Sequence, residues 1–328
     1  MKLNYSQLFI ILLCLLQNIT TLQETHYTNP VIRKDAPDPS VIEGDNGYYY
    51  LYATGESIYK STDLVNWSFV REVFEGKPRP SFVDVDRYWA PCITKQDGRY
   101  VLYFALSVWG GVDTAGIGVA TADTPEGPFD IVGDTGKLFQ SADVGVQNSI
   151  DPFYIEADGG KYIIWGSWYG IWAIELNPDG LSVKDYGAIS QLAGTAFEAS
   201  YIYKRGDLYY LFASIGSCCE GDASTYQTVV GRSQSFKGPY YDRYDQPMLD
   251  NYYEIILSGN DHFAGTGHNA RIIEDNSGAT WMLFHAYIRG QSSIGRTVCL
   301  DQIKWTDDGW PYFDGDGPSS DDRVGPNL

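Results

Sequence analysis

The sequence has little cysteine and no two cysteines in the C-x-x-C spacing. Its five cysteines are Cys14, Cys92, Cys218, Cys219 and Cys299. Thiolate zinc sites usually rely on such closely spaced pairs, so a structural zinc site of this kind is excluded. The adjacent Cys218 and Cys219 can bridge each other only with strain, and we expect two small buried residues there. The sequence leaves disulfide pairing open.

Basic residues are also few. Lys and Arg number 23 against 42 Asp and Glu, which gives a net charge of −19. A chain this acidic repels nucleic-acid phosphate and anionic lipid headgroups, which argues against both as partners. A neutral substrate such as a sugar is compatible with this charge.

Long apolar runs are missing beyond the N-terminus. Leu8 to Leu16 is an apolar stretch that follows Lys2 and is too short to span a bilayer. Residues 1–23 therefore resemble a secretory signal peptide, with cleavage expected between about Thr20 and Glu24. We expect a secreted or periplasmic protein without a membrane span, with residues 24–328 as one domain and a monomer.

The chain also lacks the pattern of a long amphipathic helix, and instead contains a repeat. A marked residue is followed eight to ten positions later by a Gly turn and then by an aromatic strand. The five copies begin at Asp38, Trp89, Asp151, Glu198 and His268. Repeats of several short strands with Asp-Gly or Asn-Gly turns are typical of β-propeller blades.

The spacing of the copies predicts an all-β, five-bladed propeller. We place its blades at residues 30–85, 86–145, 146–192, 193–259 and 260–313. We expect the acidic tail after Phe313 to be a frayed terminus rather than a calcium site.

The first strand of each propeller blade runs beside the central axis, so the marked residues should converge at one mouth of the channel. Alone, each has an ordinary explanation: an Asp-Pro turn, a surface acid, a core Trp or a hydrogen-bonded His. Together, these residues provide the side chains that glycoside hydrolysis requires: the carboxyls of Asp38, Asp151 and Glu198, beside Trp89 and His268. That reaction uses one protonated and one ionised carboxyl, while an aromatic plane binds the sugar.

The blade-start motifs are similar to those of glycoside hydrolase family forty-three, in family order. They are NPVIRKDAPDPSV, WAP, NSIDP, EASYIYKRGDLYYLFAS and GTGHN, and the later GSCCEGDAS and DGWPYF segments resemble the arabinan-cleaving branch. The resemblance covers nearly the whole chain after the signal segment. It implies a five-bladed propeller that hydrolyses glycosides by single displacement with inversion.

The resemblance also implies roles for individual residues. Asp38 would be the general base, Asp151 would orient the acid and raise its pKa, and Glu198 would be the general acid. Trp89 would be a substrate platform, and His268 would face a calcium or other cation near the channel axis, partly through water. Asn148 of NSIDP and Arg296 are further candidates for sugar contacts, although Arg296 fits a surface salt bridge equally well.

Two departures from the family pattern bear on the prediction. Cys92 stands where the branch usually has Asp in WAPD, so a hydrogen bond between blades is expected to be missing. The KDAPDPS motif is closer to exo-acting relatives than to endo-arabinanases. The sequence favours an arabinan or arabino-oligosaccharide hydrolase, with an exo-acting β-xylosidase or arabinofuranosidase and a non-catalytic sugar-binding propeller as alternatives.

Overall fold

Five antiparallel sheets of four or five strands follow one another along the chain and form the blades of a β-propeller, as predicted. The computed structural model describes residues 24–315 and 317–328, so the predicted signal peptide lies outside the described residues. No helix in these two ranges is long and apolar enough to cross a membrane.

Each of the five blade sheets falls within one predicted blade, except that β14 ends one residue beyond the predicted blade 3. Strand β1 (His26–Tyr27) precedes the first blade. Blade 1 contains β2 (Ser40–Glu43), β3 (Tyr49–Tyr52), β4 (Ser57–Ser61) and β5 (Ser68–Glu72). Blade 2 contains β6 (Trp89–Gln96), β7 (Arg99–Leu106), β8 (Gly116–Ala122), β9 (Asp130–Ile131) and β10 (Lys137–Gln140), followed by helix α1 (Ser141–Val144).

The other three blades repeat this arrangement. Blade 3 contains β11 (Phe153–Ala157), β12 (Gly160–Trp165), β13 (Ile171–Leu176) and β14 (Ile189–Ala193). Blade 4 contains β15 (Glu198–Arg205), β16 (Leu208–Ile215), β17 (Gln227–Ser233) and β18 (Glu254–Leu257). Blade 5 contains β19 (Phe263–Gly267), β20 (Ile273–Glu274), β21 (Thr280–Ile288), β22 (Thr297–Trp305) and β23 (Pro311–Tyr312), and β24 (Arg323–Val324) comes last.

The hydrophobic core lies between neighbouring blades. One cluster contains Leu51 of blade 1 and Leu283 of blade 5, and four further large clusters join the remaining pairs of successive blades. A central strand is therefore buried on both faces, which explains why β7 and β21 are continuous apolar and aromatic runs rather than alternating ones.

The two ends of the described chain meet and close the ring of blades. Strand β1 pairs with β24, and Ile32 exchanges two backbone hydrogen bonds with Val298 of blade 5. The hydroxyl and backbone N–H of Ser319 both donate to the buried Asp301. The expectation of a frayed tail is therefore wrong, because residues after Phe313 supply partners for a buried carboxylate.

Candidate active site

One cavity of about 1110 Å³ opens at the mouth of the channel. Every site residue predicted from the sequence lines it: Asp38, Trp89, Asn148, Asp151, Glu198, His268 and Arg296. The structure therefore brings together residues that are up to 258 positions apart. A cavity of this size has room for more than one sugar ring.

A shared backbone conformation turns the chain at the start of every blade. The residues with positive φ at these points are Asp38 (56°), Ala90 (44°), Asp151 (58°), Ala199 (54°) and His268 (45°). Left-handed backbone is uncommon for residues other than Gly, and such conformations concentrate at functional sites. In blades 2 and 4 the turning residue is Ala, so Trp89 and Glu198 stand one position before it.

Asp38 is held in its ionised form by two cations. Arg296 Nη1 donates to its Oδ1 at 2.9 Å, and His268 Nδ1 lies 3.3 Å from the same atom. Burial alone would raise the pKa of Asp38, but Arg296 and His268 together hold it well below the usual value. Thr54 Oγ1 donates to Oδ2 at 2.6 Å. The carboxylate can therefore accept a proton from water, as a general base must.

Glu198 has the opposite electrostatic environment. Burial raises the pKa of this carboxyl, and hydrogen bonds from Ser167 and Tyr226 only partly offset the effect. Ser167 Oγ donates to Oε2 at 2.7 Å. A raised pKa favours the protonated form of a carboxyl, which is the form that a general acid needs.

Asp151 lies among the other two carboxyls. Burial raises its pKa, and the negative charges of Glu198 and Asp38 raise it further, whereas His268 opposes the shift. Its Oδ2 accepts a hydrogen bond at 3.0 Å from the backbone N–H of Ala199, the residue after Glu198. Asp151 thus contacts the backbone next to Glu198, and its charge interacts with those of Glu198 and Asp38.

The candidate substrate residues have different surroundings. The Trp89 ring packs edge-to-face with that of Trp109, with centroids 6.5 Å apart, and Trp109 is 79% exposed. The amide nitrogen of Asn148 donates to the carbonyl of Ser167 at 3.2 Å. Arg296 forms a partly buried ion pair with Asp38 inside the cavity, so the alternative of a surface salt bridge is wrong. Sugar contacts by Trp89, Asn148 and Arg296 stay predictions.

The histidines bear on the expected cation. His268 faces Asp38, whose charge outweighs burial and raises the pKa of His268, so a protonated ring is favoured there over a metal ligand. Burial lowers the pKa of His285 to about 4. Its Nδ1 accepts a hydrogen bond at 3.2 Å from the backbone N–H of Asp38 and lies 3.2 Å from Oδ1 of the same residue. Its buried Nε2 has no hydrogen-bond partner among the described residues. His285 is therefore a second candidate for a cation, and the role of His268 stays a prediction.

Cys92 takes part in a hydrogen bond that connects blade 2 with blade 3. Its Sγ accepts a hydrogen bond at 3.2 Å from the backbone N–H of Tyr154 in blade 3. The expectation of a missing hydrogen bond between blades is therefore wrong, because the thiol sulfur fills the acceptor role.

The sequence reasoning missed several polar residues around the carboxyls. Thr54, Ser214 and His285 occupy corresponding positions near the end of the second strand of their blades, and Ser214 Oγ accepts from the backbone N–H of His268 at 2.9 Å. Ser167 and Tyr226 were also missed. A signal was present in three segments, since YLYAT and YLFAS each end an aromatic run with a hydroxyl residue and LFHAY places a histidine inside one.

The adjacent cysteines differ from expectation as well. Cys218 and Cys219 form a disulfide and line the cavity, partly exposed. The expectation of two small buried residues is wrong here, whereas Cys92 and Cys299 are free and buried.

Comparisons with known proteins agree with this geometry. The sequence model of the protein family described as "Glycosyl hydrolases family 43" matches residues 27–311 of this chain. The extracellular exo-α-(1→5)-L-arabinofuranosidase of Cellvibrio japonicus is 33% identical, over 85% of this chain and 86% of that protein. The extracellular endo-α-(1→5)-L-arabinanase 1 of Bacillus subtilis is 30% identical, over 84% and 87%. The Cellvibrio cellulosa α-L-arabinanase complexed with arabinohexaose superposes with a TM-score of 0.77 at 29% identity, covering 85% of this chain and 95% of that one.

Proposed function

The chain belongs to glycosyl hydrolases family 43 and is a glycoside hydrolase, and we propose that it cleaves α-L-arabinofuranosyl linkages in α-1,5-arabinan or arabino-oligosaccharides. The relatives named above are an exo-acting arabinofuranosidase and an endo-acting arabinanase, so both modes of cleavage have precedent at this similarity. Since both are named extracellular, we also propose that the protein is secreted.

The observation that carries the proposal is the contrast between the surroundings of two carboxyls that line one cavity. Arg296 and His268 face Asp38 and favour its ionised form, whereas burial raises the pKa of Glu198 and favours its protonated form. In the proposed single displacement, Asp38 takes a proton from water as that water attacks the anomeric carbon. Glu198 donates its proton to the leaving oxygen as the glycosidic bond breaks, and the anomeric configuration inverts.

Asp151 supports the acid in this scheme. Its negative charge, when present, disfavours ionisation of Glu198, and its hydrogen bond to Ala199 fixes the backbone beside that residue. We therefore assign Asp151 a positioning role rather than a direct proton transfer.

A cation remains part of the proposal. No group of three His, Cys, Asp or Glu side chains within residues 24–315 and 317–328 forms a metal site, so a calcium ion here would be bound mainly by water. The Nε2 of His285 would bind the ion in the tautomer whose proton lies on Nδ1 and points at Oδ1 of Asp38; in the other tautomer Nδ1 accepts from the backbone N–H of Asp38 and Nε2 carries the proton. Such an ion would favour the ionised form of nearby carboxylates.

The test compares two substrates and two variants. We expect Glu198→Gln to lose about 10²–10⁴-fold in kcat on arabinan, because a poor leaving group needs a proton. The same variant should lose much less on 2,4-dinitrophenyl α-L-arabinofuranoside, whose leaving group departs unprotonated. Asp38→Asn is the matched control and should lose activity on both substrates. Equal losses of Glu198→Gln on both substrates would remove Glu198 from the acid role.

Product analysis separates the remaining alternatives. A ladder of oligosaccharides from linear arabinan indicates endo action, and arabinose alone indicates exo action. Cleavage of xylo-oligosaccharides but not of arabinan would favour a β-xylosidase, and recovery of intact oligosaccharide would favour a binding protein.

A further inference from the structure

The Cys218–Cys219 disulfide lies on the wall of the cavity that contains the three carboxyls. The loop that carries it, residues 216–226, follows β16, and Ser214 at the end of that strand is paired directly with Glu198. Gly216, Ser217 and Glu220 of the loop line the cavity together with the two cysteines. The disulfide is therefore on the side of the cavity formed by the blade of the acid.

A disulfide between adjacent residues adds little to the stability of a fold. The stabilisation that a disulfide gives by restricting the unfolded chain grows with the length of the loop it closes, and here the two residues are neighbours. Loop closure therefore does not account for its presence. Its position in the cavity suggests a role in binding.

The loop on either side of the disulfide is fixed by hydrogen bonds. Ser217 N–H donates to Thr225 Oγ1 at 3.0 Å, and Glu220 N–H donates to Ser224 Oγ at 2.8 Å. Blade 5 holds the far side of the loop, where Arg289 Nη1 donates to the carbonyl of Asp222 at 2.9 Å. A surface ordered before binding costs less conformational entropy when a ligand arrives.

The chemistry of this surface suits one face of a sugar ring. A disulfide has no S–H donor, and its sulfurs are polarisable and apolar, so they favour contact with C–H groups. Trp89 and Trp109 line the same cavity and can meet other apolar surface of the sugar.

We propose that the Cys218–Cys219 disulfide is a substrate-binding surface that contacts the C–H face of an arabinofuranosyl unit bound beside Glu198. The disulfide thereby sets the affinity for arabino-oligosaccharides while the carboxyls carry out the reaction. This inference rests on the proposed function for the identity of the sugar.

The first experiment measures binding without turnover. Glu198→Gln and the triple variant that adds Cys218→Ala and Cys219→Ala are titrated with arabinotriose by calorimetry. Removal of the sulfurs should weaken binding about five- to tenfold, as expected when roughly 50 Å² of apolar contact is lost. An unchanged Kd in the triple variant, with its melting temperature preserved, overturns the inference.

The second experiment uses chemical reduction of the full chain. Reductant should release two thiols and raise KM for arabinotriose by a similar factor, with kcat changed less than twofold. The Cys218→Ala, Cys219→Ala double variant is the matched control and should not respond to reductant. A lower melting temperature with KM unchanged would mean a purely structural disulfide and would overturn the inference. Failure of the unmodified protein to hydrolyse any arabinan would instead refute the proposed function, while the calorimetric comparison still tests the disulfide.

Discussion

The ion pair between Arg296 and Asp38 should set the acidic limit of activity. Arg296 Nη1 lies 2.9 Å from Asp38 Oδ1, and the two side chains are 16% and 10% exposed. If Asp38 is the general base, kcat/KM falls at low pH when Asp38 becomes protonated. Arg296→Met keeps much of the side-chain length and removes the charge, so the pKa of Asp38 rises and activity is lost at a higher pH.

The size of this shift follows from the geometry. Two unit charges at the 2.9 Å that separates Nη1 from Oδ1 interact by about 6 kcal/mol at an effective dielectric constant of about 20. At about 1.4 kcal/mol per pKa unit this sets an upper bound near 4 units. His268 and Thr54 still contact the carboxylate in the variant, so we expect a shift of about 1–2 units.

The assay is the pH dependence of kcat/KM for an aryl α-L-arabinofuranoside. Thr54→Val is the matched control, since it removes a neutral hydrogen bond to the same carboxylate and should shift the acidic limb less. Because Asp38 has a lowered pKa in the folded state, the ion pair stabilises the fold above its unfolded pKa, about 4. That contribution disappears as the pH falls through the folded-state pKa. An acidic limb that stays in place in a folded Arg296→Met variant would refute the assignment of Asp38 as base.

Two further predictions concern the acid and the chain ends. Ser167→Ala removes the 2.7 Å hydrogen bond from Ser167 to Glu198, and this hydrogen bond favours the ionised carboxylate. The pKa of Glu198 should therefore rise, and the alkaline limb of the pH profile of kcat/KM should move up by about 0.5–1 pH unit. A downward shift would contradict this account of the acid. Removal of residues 317–328 leaves buried Asp301 without Ser319, which should cost about 1–3 kcal/mol and lower Tm by several degrees. An unchanged Tm in the shortened chain would show that this contact does not stabilise the fold.

The parts of the structure that repeat were predictable from the sequence. Five copies of one strand-turn-strand pattern indicated the blades, and the residues that open them were expected at one mouth of the channel. Asp38, Asp151 and Glu198 do meet there, because each blade begins at the axis. The hydroxyl partners of these carboxyls were not predicted, since Thr54, Ser167 and Tyr226 come from second strands and loops whose register depends on how neighbouring blades pack.

The disulfide and the tail were missed for related physical reasons. Local geometry disfavours a disulfide between the adjacent Cys218 and Cys219, so the sequence alone did not predict it. The structure contains this disulfide within the ordered loop of residues 216–226. The tail after Phe313 is acidic and rich in Gly and Pro. It is ordered by contacts with Asp301 and with strand β1, which lies nearly 300 residues earlier in the chain. Composition describes a segment in isolation, whereas these segments are ordered by distant partners.

The pairing of β1 with β24 closes the ring of blades at a single seam, the junction between blade 1 and blade 5 where the two chain ends meet. Synthesis from the N-terminus leaves blade 1 without a neighbour on one side until blade 5 exists. The apolar face around Leu51 therefore stays exposed until Leu283 and the rest of blade 5 have been made. A permuted chain that begins between two other blades and joins residue 24 to residue 328 through a short linker would move that seam, and with it the surface most open to aggregation before the ring is complete.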